Sequence, residues 1–407
     1  MVPERRLPQD LRVLLLENIH PDATATLSKL GYQVETSDRA LGEDELVARL
    51  AEVDVLGIRS ATHVSARAIA SARNLVAVGA FCIGTNQVDL GTASAHGTAV
   101  FNAPFSNTRS VVELVIGEII ALQRGLTDKS RQMHDGVWDK SAKGSHEVRG
   151  RRLGIVGYGN IGSQLSVLAE ALGMSVYFFD TADKLALGNA KRCSSLDELL
   201  ASVDIVTLHV DGRSSNRGLF GEAEFARMVL GSLFLNLSRG FIVDHAALRR
   251  HIDNGHVAGA AVDVFPHEPK RKGEPFVSEL QGLPNVILTP HVGGSTEEAQ
   301  QDIGRFVAGK LHDYLAFGST SLSVNLPNLV LPPHAGEFRL THVHANVPGV
   351  LAAVNSLFAA HGMNIEGQYL ATRGDVGYVI TDTPSDFTPE VLESLAAMPW
   401  TVRLRVL

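Results

Sequence analysis

The chain has 407 residues, too many for one ordinary domain, so two or three domains are expected. Hydrophobic residues make up 45% and charged residues 20%, which excludes a disordered chain. The 36 Lys and Arg against 44 Asp and Glu give a net charge of −8, which argues against a nucleic-acid coat and against adsorption to an anionic membrane. Leu11 to Glu17 reads as a short apolar strand, followed by a helix over Asp22 to Leu30, a helix near Glu43–Glu52 and strands at Val55–Ile58, Leu75–Ala80 and Ala99–Phe101. Strands alternating with helices indicate a parallel α/β sheet. Asn107 to Gly125 is a long helix with Val111, Val115, Ile119 and Leu122 at helical spacing.

A second α/β run begins at Leu153. Its expected strands are Leu153–Val156, Ser175–Phe179, Ile205–Leu208, Leu233–Asn236, Gly259–Val262 and Val286–Leu288. Asn285 to Pro290 then returns the chain to the first domain, and Thr296–Leu315 forms another long helix. From Gly318 to Gly336 the composition shifts to Ser, Pro and Asn, which reads as a linker. Beyond it comes the order strand (Phe338–His344), helix (Val350–Ala360), strands (Ile365–Ala371 and Val376–Thr381), helix (Pro389–Ala396) and strand (Thr401–Val406). That is the split βαβ, ferredoxin-like arrangement. The expected domains are therefore 1–106 with 291–317, an inserted 107–290, a linker over 318–336, and a small module over 337–407. The polar start, Met1 to Asp10, lacks an apolar signal-peptide core, and no run of about 18 apolar residues occurs. Cys82 and Cys193 have no metal-type spacing. A soluble cytoplasmic protein without a metal site is expected.

Gly157-Tyr158-Gly159-Asn160-Ile161-Gly162 is a GxGxxG turn between the strand ending at Val156 and a helix over Ser163–Leu172. Alone the motif is weak; strand before and helix after make it a dinucleotide turn. The first glycine permits the turn, the second lets backbone approach a pyrophosphate, and the third lets helix pack on strand. The helix N-terminus offers unpaired N–H groups to phosphate. Asp180 ends the next strand, 18 residues after Gly162. A carboxylate there accepts from ribose hydroxyls and repels a 2′-phosphate, so NAD is favoured over NADP.

Hydride transfer from an alcohol needs a base for the hydroxyl proton and a cation for a neighbouring carboxylate. Arg239, just past one strand end, suits the cation; a guanidinium grips a carboxylate bidentately. His291, past another strand end, suits the base. Glu268, in Asp263-Val264-Phe265-Pro266-His267-Glu268-Pro269, would raise the pKa of an adjacent histidine and fix its tautomer.

Three long stretches carry a resemblance: Phe81 to Asp89 (FCIGTNQVD), Phe101 to Val111 (FNAPFSNTRSV) and Leu288 to Thr296 (LTPHVGGST). On them the chain resembles the D-isomer-specific 2-hydroxyacid dehydrogenases, in particular the short bacterial type with a C-terminal ACT domain. The resemblance implies a Rossmann-type NAD domain inserted in a discontinuous flavodoxin-like substrate domain, followed by a ferredoxin-like ACT domain. It implies a catalytic set of Arg239, Glu268 and His291, a nicotinamide-carboxamide contact at Asp263, and substrate contacts at Arg59, Ser60 and Asn107. The implied reaction oxidises 3-phosphoglycerate to 3-phosphohydroxypyruvate, the first step of L-serine biosynthesis, with 2-oxoglutarate reduction as a second activity. L-Serine is the implied effector, held by His344, Asn346 and Asn364, and a homotetramer is the implied assembly.

The sequence also departs from that pattern. The short type has a second arginine after Arg59-Ser60, and here it is Ala61; Arg39 and Lys140 are the remaining candidates for that charge. Asp211 replaces a proline after His209-Val210, Leu237 and Phe241 replace smaller residues around Arg239, and Ala345 stands where the family has Glu. Two alternatives stay open. One is a D-2-hydroxyacid dehydrogenase for a non-phosphorylated acid, motivated by Ala61. The other is an NAD-sensing binding protein on the same fold, against which the complete Arg239, Glu268 and His291 set counts.

Overall fold

The structure is a computed structural model that describes residues 5–269, 273–331 and 338–407. Met1 to Glu4 and the expected linker's tail, 332–336, lie outside the described residues. The chain divides into two compact units, Met1–Ser106 with Gln300–Leu407, and Asn107–Ala299. The boundary falls after Ala299 rather than after Pro290 as expected. The physical reason is local: the Asp263 carboxylate accepts from the N–H groups of Val292 and Gly293, and Ser110 meets Thr296 hydroxyl to hydroxyl at 2.8 Å.

The first unit opens with β1 (Arg12–Leu15), α1 (Pro21–Lys29), β2 (Gln33–Thr36), α2 (Glu43–Leu50), β3 (Val55–Ile58), α3 (Ala66–Ser71), β4 (Ala77–Ala80), α4 (Leu90–Ala95) and β5 (Ala99–Asn102). The strands are parallel in the order β2-β1-β3-β4-β5, the flavodoxin-like winding. β3, β4 and β5 are buried at every position, as a parallel sheet covered on both faces requires. Ser65 and Asp89 start α3 and α4 by accepting from the N–H of Ala68 and Thr92. The strand read over Leu11–Glu17 ends at Leu15, because Glu17 and Asn18 turn into the left-handed region with φ of 62° and 51°.

The second unit begins with α5 (Thr108–Arg124) and α6 (Leu126–His134). It continues through β6 (Arg152–Val156), α7 (Asn160–Ala171), β7 (Ser175–Phe179), β8 (Lys191–Arg192), α8 (Leu196–Ser202), β9 (Ile205–Leu208), α9 (Glu222–Arg227), β10 (Ser232–Asn236), α10 (His245–Asp253), β11 (Val257–Val262) and β12 (Val286–Leu288). Its parallel sheet runs β12-β11-β10-β9-β6-β7-β8, the dinucleotide-binding order with one further strand. Two cores flank this sheet. One joins Val156, Leu208, Phe234 and Val262 to α8, α9 and α10, and the other joins Leu153, Ile155 and Leu235 to α5 and α7.

The long α11 (Glu297–Phe317) leads back into the first unit. The segment read as a linker is ordered over its described part, 318–331. Leu326 and Thr320 are fully buried, Val324 N–H donates to the Val100 carbonyl, and Asn325 Oδ1 accepts from Val100 N–H at 2.8 Å. This strap covers the otherwise unpaired edge of β5. The last module is β13 (Phe338–Ala345), α12 (Val350–Ala360), β14 (Gly367–Arg373), β15 (Val376–Thr383), α13 (Pro389–Ala396) and β16 (Thr401–Val406). Its antiparallel sheet, β14-β15-β13-β16, is ferredoxin-like. One face packs on α12 and α13 through Leu340, Val354, Phe358 and Leu395. The other shares the first unit's core, where Val343, Tyr378 and Ile380 join Val307, Leu311 and Tyr314 of α11. Arg339 and Asp382 form a buried bidentate pair beside it, at 2.7 and 2.9 Å. Among the described residues, no helix is long and apolar enough to cross a membrane.

Candidate active site

The glycine turn lies between β6 and α7. Gly157 has φ of +92°, a conformation that side chains disfavour, and a Cβ there would sit 2.6 Å from the carbonyl oxygen of His209. Gly162 lies against the Gly157 carbonyl, which a Cβ would overlap, so the third glycine sets the close packing of helix on turn. At Gly159 the space a Cβ would enter is open, and among the described residues no side chain caps α7. The N–H groups of Asn160, Ile161 and Gly162 in its first turn therefore remain for an anion. Tyr158 anchors the turn by stacking on Phe178, with ring centroids 3.8 Å apart, and by a 2.6 Å hydroxyl contact to Ser166.

Asp180 also organises this turn. Its Oδ2 accepts from Tyr158 N–H and its Oδ1 from Ala182 N–H, each at 2.8 Å. A carboxylate has about four acceptor positions, so two such bonds leave room for ribose hydroxyls. An open cradle, a free helix N-terminus and an acid at the end of β7 fit a dinucleotide with an unsubstituted ribose.

The loops after β10, β11 and β12 carry Arg239, Asp263 and Glu268, and His291. Asp263 is 1% exposed and binds the His291 loop at three points. Thr289 hydroxyl donates to Oδ1 at 2.6 Å, Val292 N–H to Oδ1 at 2.8 Å, and Gly293 N–H to Oδ2 at 2.8 Å. Within this loop His291 takes φ of 55°, the left-handed region, and its Nδ1 meets Glu268 Oε2 at 2.9 Å. Glu268 Oε1 accepts from Phe265 N–H at 3.0 Å, which fixes the carboxylate.

The hydrogen bond from Glu268 raises the His291 pKa above its ordinary value. Partial burial opposes this, the charges of Glu268 and Asp263 add to it, and Arg239 opposes it. Burial pushes Glu268 up, but the His291 hydrogen bond and charge, the Phe265 N–H and Arg239 outweigh it and hold the carboxyl below its usual range. Nδ1–H facing a carboxylate leaves Nε2 as the basic nitrogen; this tautomer is inferred from the bond.

Arg239 Nη1 donates to its neighbour's carbonyl, Ser238 O, at 2.6 Å. Gly240 brings the Arg239 loop against the Glu268 loop, since any Cβ there would run into the backbone of Phe265 and Pro266. Asn107 stands at the start of α5 beside Gly294, with its Oδ1 buried and unbonded among the described residues.

In the first unit, Arg59 is half-buried and Ser60 exposed in the loop after β3. Arg39 is engaged with Glu45, Nη1 to Oε2 at 3.0 Å, and Lys140 is exposed. Asp211 ties its own loop together by pairing with Arg213 Nε at 2.6 Å and accepting from Asn216 Nδ2 at 3.0 Å. In the C-terminal module His344 is 3% exposed, with Nδ1 on Ala345 O at 2.7 Å and Nε2 without a partner among the described residues. Asn346 and Asn364 are exposed, and Asn346 Nδ2 donates to Gly374 O.

Three residues of interest escape a reading of the sequence. Glu17 accepts from the N–H groups of Arg59, Ala61 and Thr62, and Gln87 donates to the Arg59 carbonyl. Glu118 of α5 is 4% exposed with both carboxyl oxygens unbonded among the described residues; burial, and then the charge of Asp263, push its pKa up to about 8. A lone acid in the apolar stripe of α5 was the only available signal for Glu118. Glu17 gave none, because its partners lie 42, 44 and 45 positions away.

A dinucleotide cradle and an Arg, Glu and His set at neighbouring strand ends define an NAD-dependent dehydrogenase of 2-hydroxy acids. The D-isomer specific 2-hydroxyacid dehydrogenase NAD-binding domain matches residues 116–293, and the AHAS small subunit-like ACT domain matches residues 340–403. The chain belongs to the D-isomer-specific 2-hydroxyacid dehydrogenase family. Within it, full-length similarity is to D-3-phosphoglycerate dehydrogenases. That of Haemophilus influenzae is 50% identical over 98% of this chain and 97% of its own length, and that of Escherichia coli K12 is 48% identical over the same shares. Among solved structures, the pyruvate reductase of Chlamydomonas reinhardtii superposes with a TM-score of 0.66 at 27% identity, covering 76% of this chain and 97% of its own.

Proposed function

We propose that the chain catalyses the NAD-dependent oxidation of 3-phospho-D-glycerate to 3-phosphohydroxypyruvate, the first step of L-serine biosynthesis, in the cytoplasm. The observation that carries the mechanism is the 2.9 Å contact of His291 Nδ1 with Glu268, which prepares Nε2 as a base. NAD, when bound, supplies the hydride acceptor. His291 Nε2 takes the C2 hydroxyl proton as the C2 hydride leaves for that acceptor, so the alcohol becomes a ketone. Glu268 stabilises the resulting imidazolium. Arg239 holds the substrate carboxylate and polarises the keto oxygen in the reverse direction. Asp263 fixes the His291 loop and would contact the nicotinamide carboxamide, while Gly157, Gly159, Asn160, Ile161, Gly162 and Asp180 would hold the rest of the cofactor. Arg59, Ser60 and Asn107 contact the substrate.

The test is a panel of phosphohydroxypyruvate, 2-oxoglutarate and glyoxylate with NADH, followed at 340 nm. Phosphohydroxypyruvate should have the highest kcat/KM. Ala61, which leaves one arginine in the loop after β3, favours the second reading, a dehydrogenase of a non-phosphorylated acid; preference for 2-oxoglutarate or glyoxylate would select it. Reduction of none of the three would select an NAD-sensing binding protein.

L-Serine is the proposed effector, at His344, Asn346 and Asn364 of the ACT domain. The unpaired Nε2 of His344 supports a ligand there. Unchanged velocity at millimolar serine, with no calorimetric binding, would exclude it. A homotetramer is the proposed assembly, supported by the exposed apolar side chains of Leu126, Met133, Val137 and Trp138 on and after α6. Light scattering at four times the chain mass is the expected result.

A further inference from the structure

The loop after β3 is held from two sides by groups that take no part in the chemistry described above. On one side, Glu17 Oε1 accepts from the N–H of Arg59 at 3.1 Å and of Thr62 at 2.9 Å, and Oε2 accepts from the N–H of Ala61 at 2.9 Å. On the other, Gln87 Nε2 donates to the Arg59 carbonyl at 2.7 Å and to the Gly84 carbonyl at 3.2 Å. The Arg59 peptide is thus fixed at both its N–H and its C=O. Its guanidinium, in contrast, has no bonded partner among the described residues. A fixed backbone with an unengaged cationic head is the arrangement of a residue prepared for an anionic ligand.

Two further observations separate this clamp from ordinary loop packing. Glu17 and Asn18 both lie in the left-handed region, which L-residues disfavour, and persistent strain of this kind needs its surroundings to enforce it. Also, converging backbone N–H groups form an anion-binding concavity. Here Glu17 fills that concavity from within the chain, so a substrate anion has no access to those donors. Recognition then falls on the side chains of Arg59 and Ser60. With Ala61 contributing only its N–H, which goes to Glu17, one guanidinium carries the positive charge of the loop, and its placement matters more.

We propose that Glu17, completed by Gln87, is a positioning residue that holds Arg59 in the geometry that binds the substrate's anionic group; this rests on the reading of Arg59 and Ser60 as substrate contacts.

The test uses the full-length protein and steady-state reduction of phosphohydroxypyruvate by NADH, with Arg59→Ala, Glu17→Ala, Glu17→Gln, Gln87→Met and the double variant Arg59→Ala/Glu17→Gln. NADH affinity and the thermal midpoint are measured on each. Glu17→Ala is expected to raise KM about tenfold, the loss typical of a charge-assisted contact, with kcat changed less than about twofold and NADH affinity unchanged. Glu17→Gln keeps one acceptor oxygen and should fall between wild type and Glu17→Ala. Gln87→Met should raise KM about threefold, the loss of one neutral hydrogen bond. The double variant should have the KM of Arg59→Ala alone, because positioning a missing side chain has no effect. If Glu17→Ala does not fold, Glu17→Gln and Gln87→Met decide. Wild-type KM in both of these, while Arg59→Ala raises KM, would overturn the clamp and leave the substrate reading standing. Additive KM effects in the double variant would also overturn it. Wild-type KM in Arg59→Ala would overturn the substrate reading itself, and the clamp with it.

Discussion

Replacing Asp263 with asparagine keeps the shape of the side chain and exchanges one acceptor oxygen for a donor. The carboxylate now takes two bonds on Oδ1, from Thr289 and Val292, and one on Oδ2, from Gly293. The less costly orientation of the amide therefore keeps its oxygen toward Thr289 and Val292 and turns its NH₂ against the Gly293 N–H. That orientation loses one charge-assisted bond and strands a donor at a site where Asp263 is 1% exposed. Together these cost about 2–5 kcal/mol. For a unit of this size that corresponds to a fall of roughly 4–20 °C in the melting transition of the second unit. The same bonds hold the loop in which His291 adopts its positive φ, so kcat should fall by about 10–100-fold through misplacement of the base. Differential scanning calorimetry and the 340 nm assay read the two effects separately. A melting point within about 1 °C of wild type and kcat within about twofold would refute the reasoning.

His291→Ala should lower kcat by at least about 100-fold while NADH binding, read by fluorescence, stays near wild type; a wild-type kcat would remove it from the chemistry. The base must be unprotonated to accept the hydroxyl proton, and its pKa is raised, so oxidation should accelerate with pH through a limb above the ordinary histidine value. Reduction should slow through the same limb. Glu268→Gln removes the main raising influence and should shift the limb to lower pH; an unmoved limb would assign it to another group. Glu118 has a folded pKa raised to about 8, so the folded state holds a proton that the unfolded state releases above the usual glutamate value of 4.5. Stability should therefore fall by about 1.4 kcal/mol per pH unit between these values and level off above the upper one. Glu118→Leu should abolish that slope in urea titrations at pH 5.5 and 7.5; a parallel slope in wild type and variant would contradict it. Gly240→Ala forces a Cβ into the backbone of Phe265 and Pro266, so the second unit should lose NADH binding along with its cooperative melt.

Much of the fold was legible because most strands are short, largely apolar runs. Ser175–Phe179, Ile205–Leu208 and Val286–Leu288 fall where composition puts them. Elements that bury little gave no such signal. β2 is an edge strand with one apolar residue, Val34, and α6 has no buried position, so neither has a core face to leave a pattern. The strap over 318–331 looked like a tether because Ser, Asn and Pro recur through it. Its polar residues have another cause: Ser323 and Asn325 supply the hydrogen bonds that the edge of β5 lacks. At the candidate site, Arg239 and His291 were legible because each follows a strand end, where this topology presents side chains to ligands, and Glu268 as a carboxylate suited to pair with His291, a contact the structure contains. The supporting residues were not, since the acceptors of Glu17 and the role of Glu118 depend on distant segments meeting in space.

The core shared between the C-terminal sheet and α11 bears on how the parts of this chain can be separated. Val343, Tyr378 and Ile380 sit in one apolar cluster with Val307, Leu311 and Tyr314, and the seam is stitched by Arg405 to the carbonyls of Tyr314 and Leu315 and by Arg403 to that of His96. The small domain is therefore a load-carrying wall of the first unit and not a pendant sensor. Cutting the chain at the strap would bare an oily flank on each fragment. By the same geometry, β13 and α11 are faces of one apolar cluster, so repacking of the one is felt in the packing of the other.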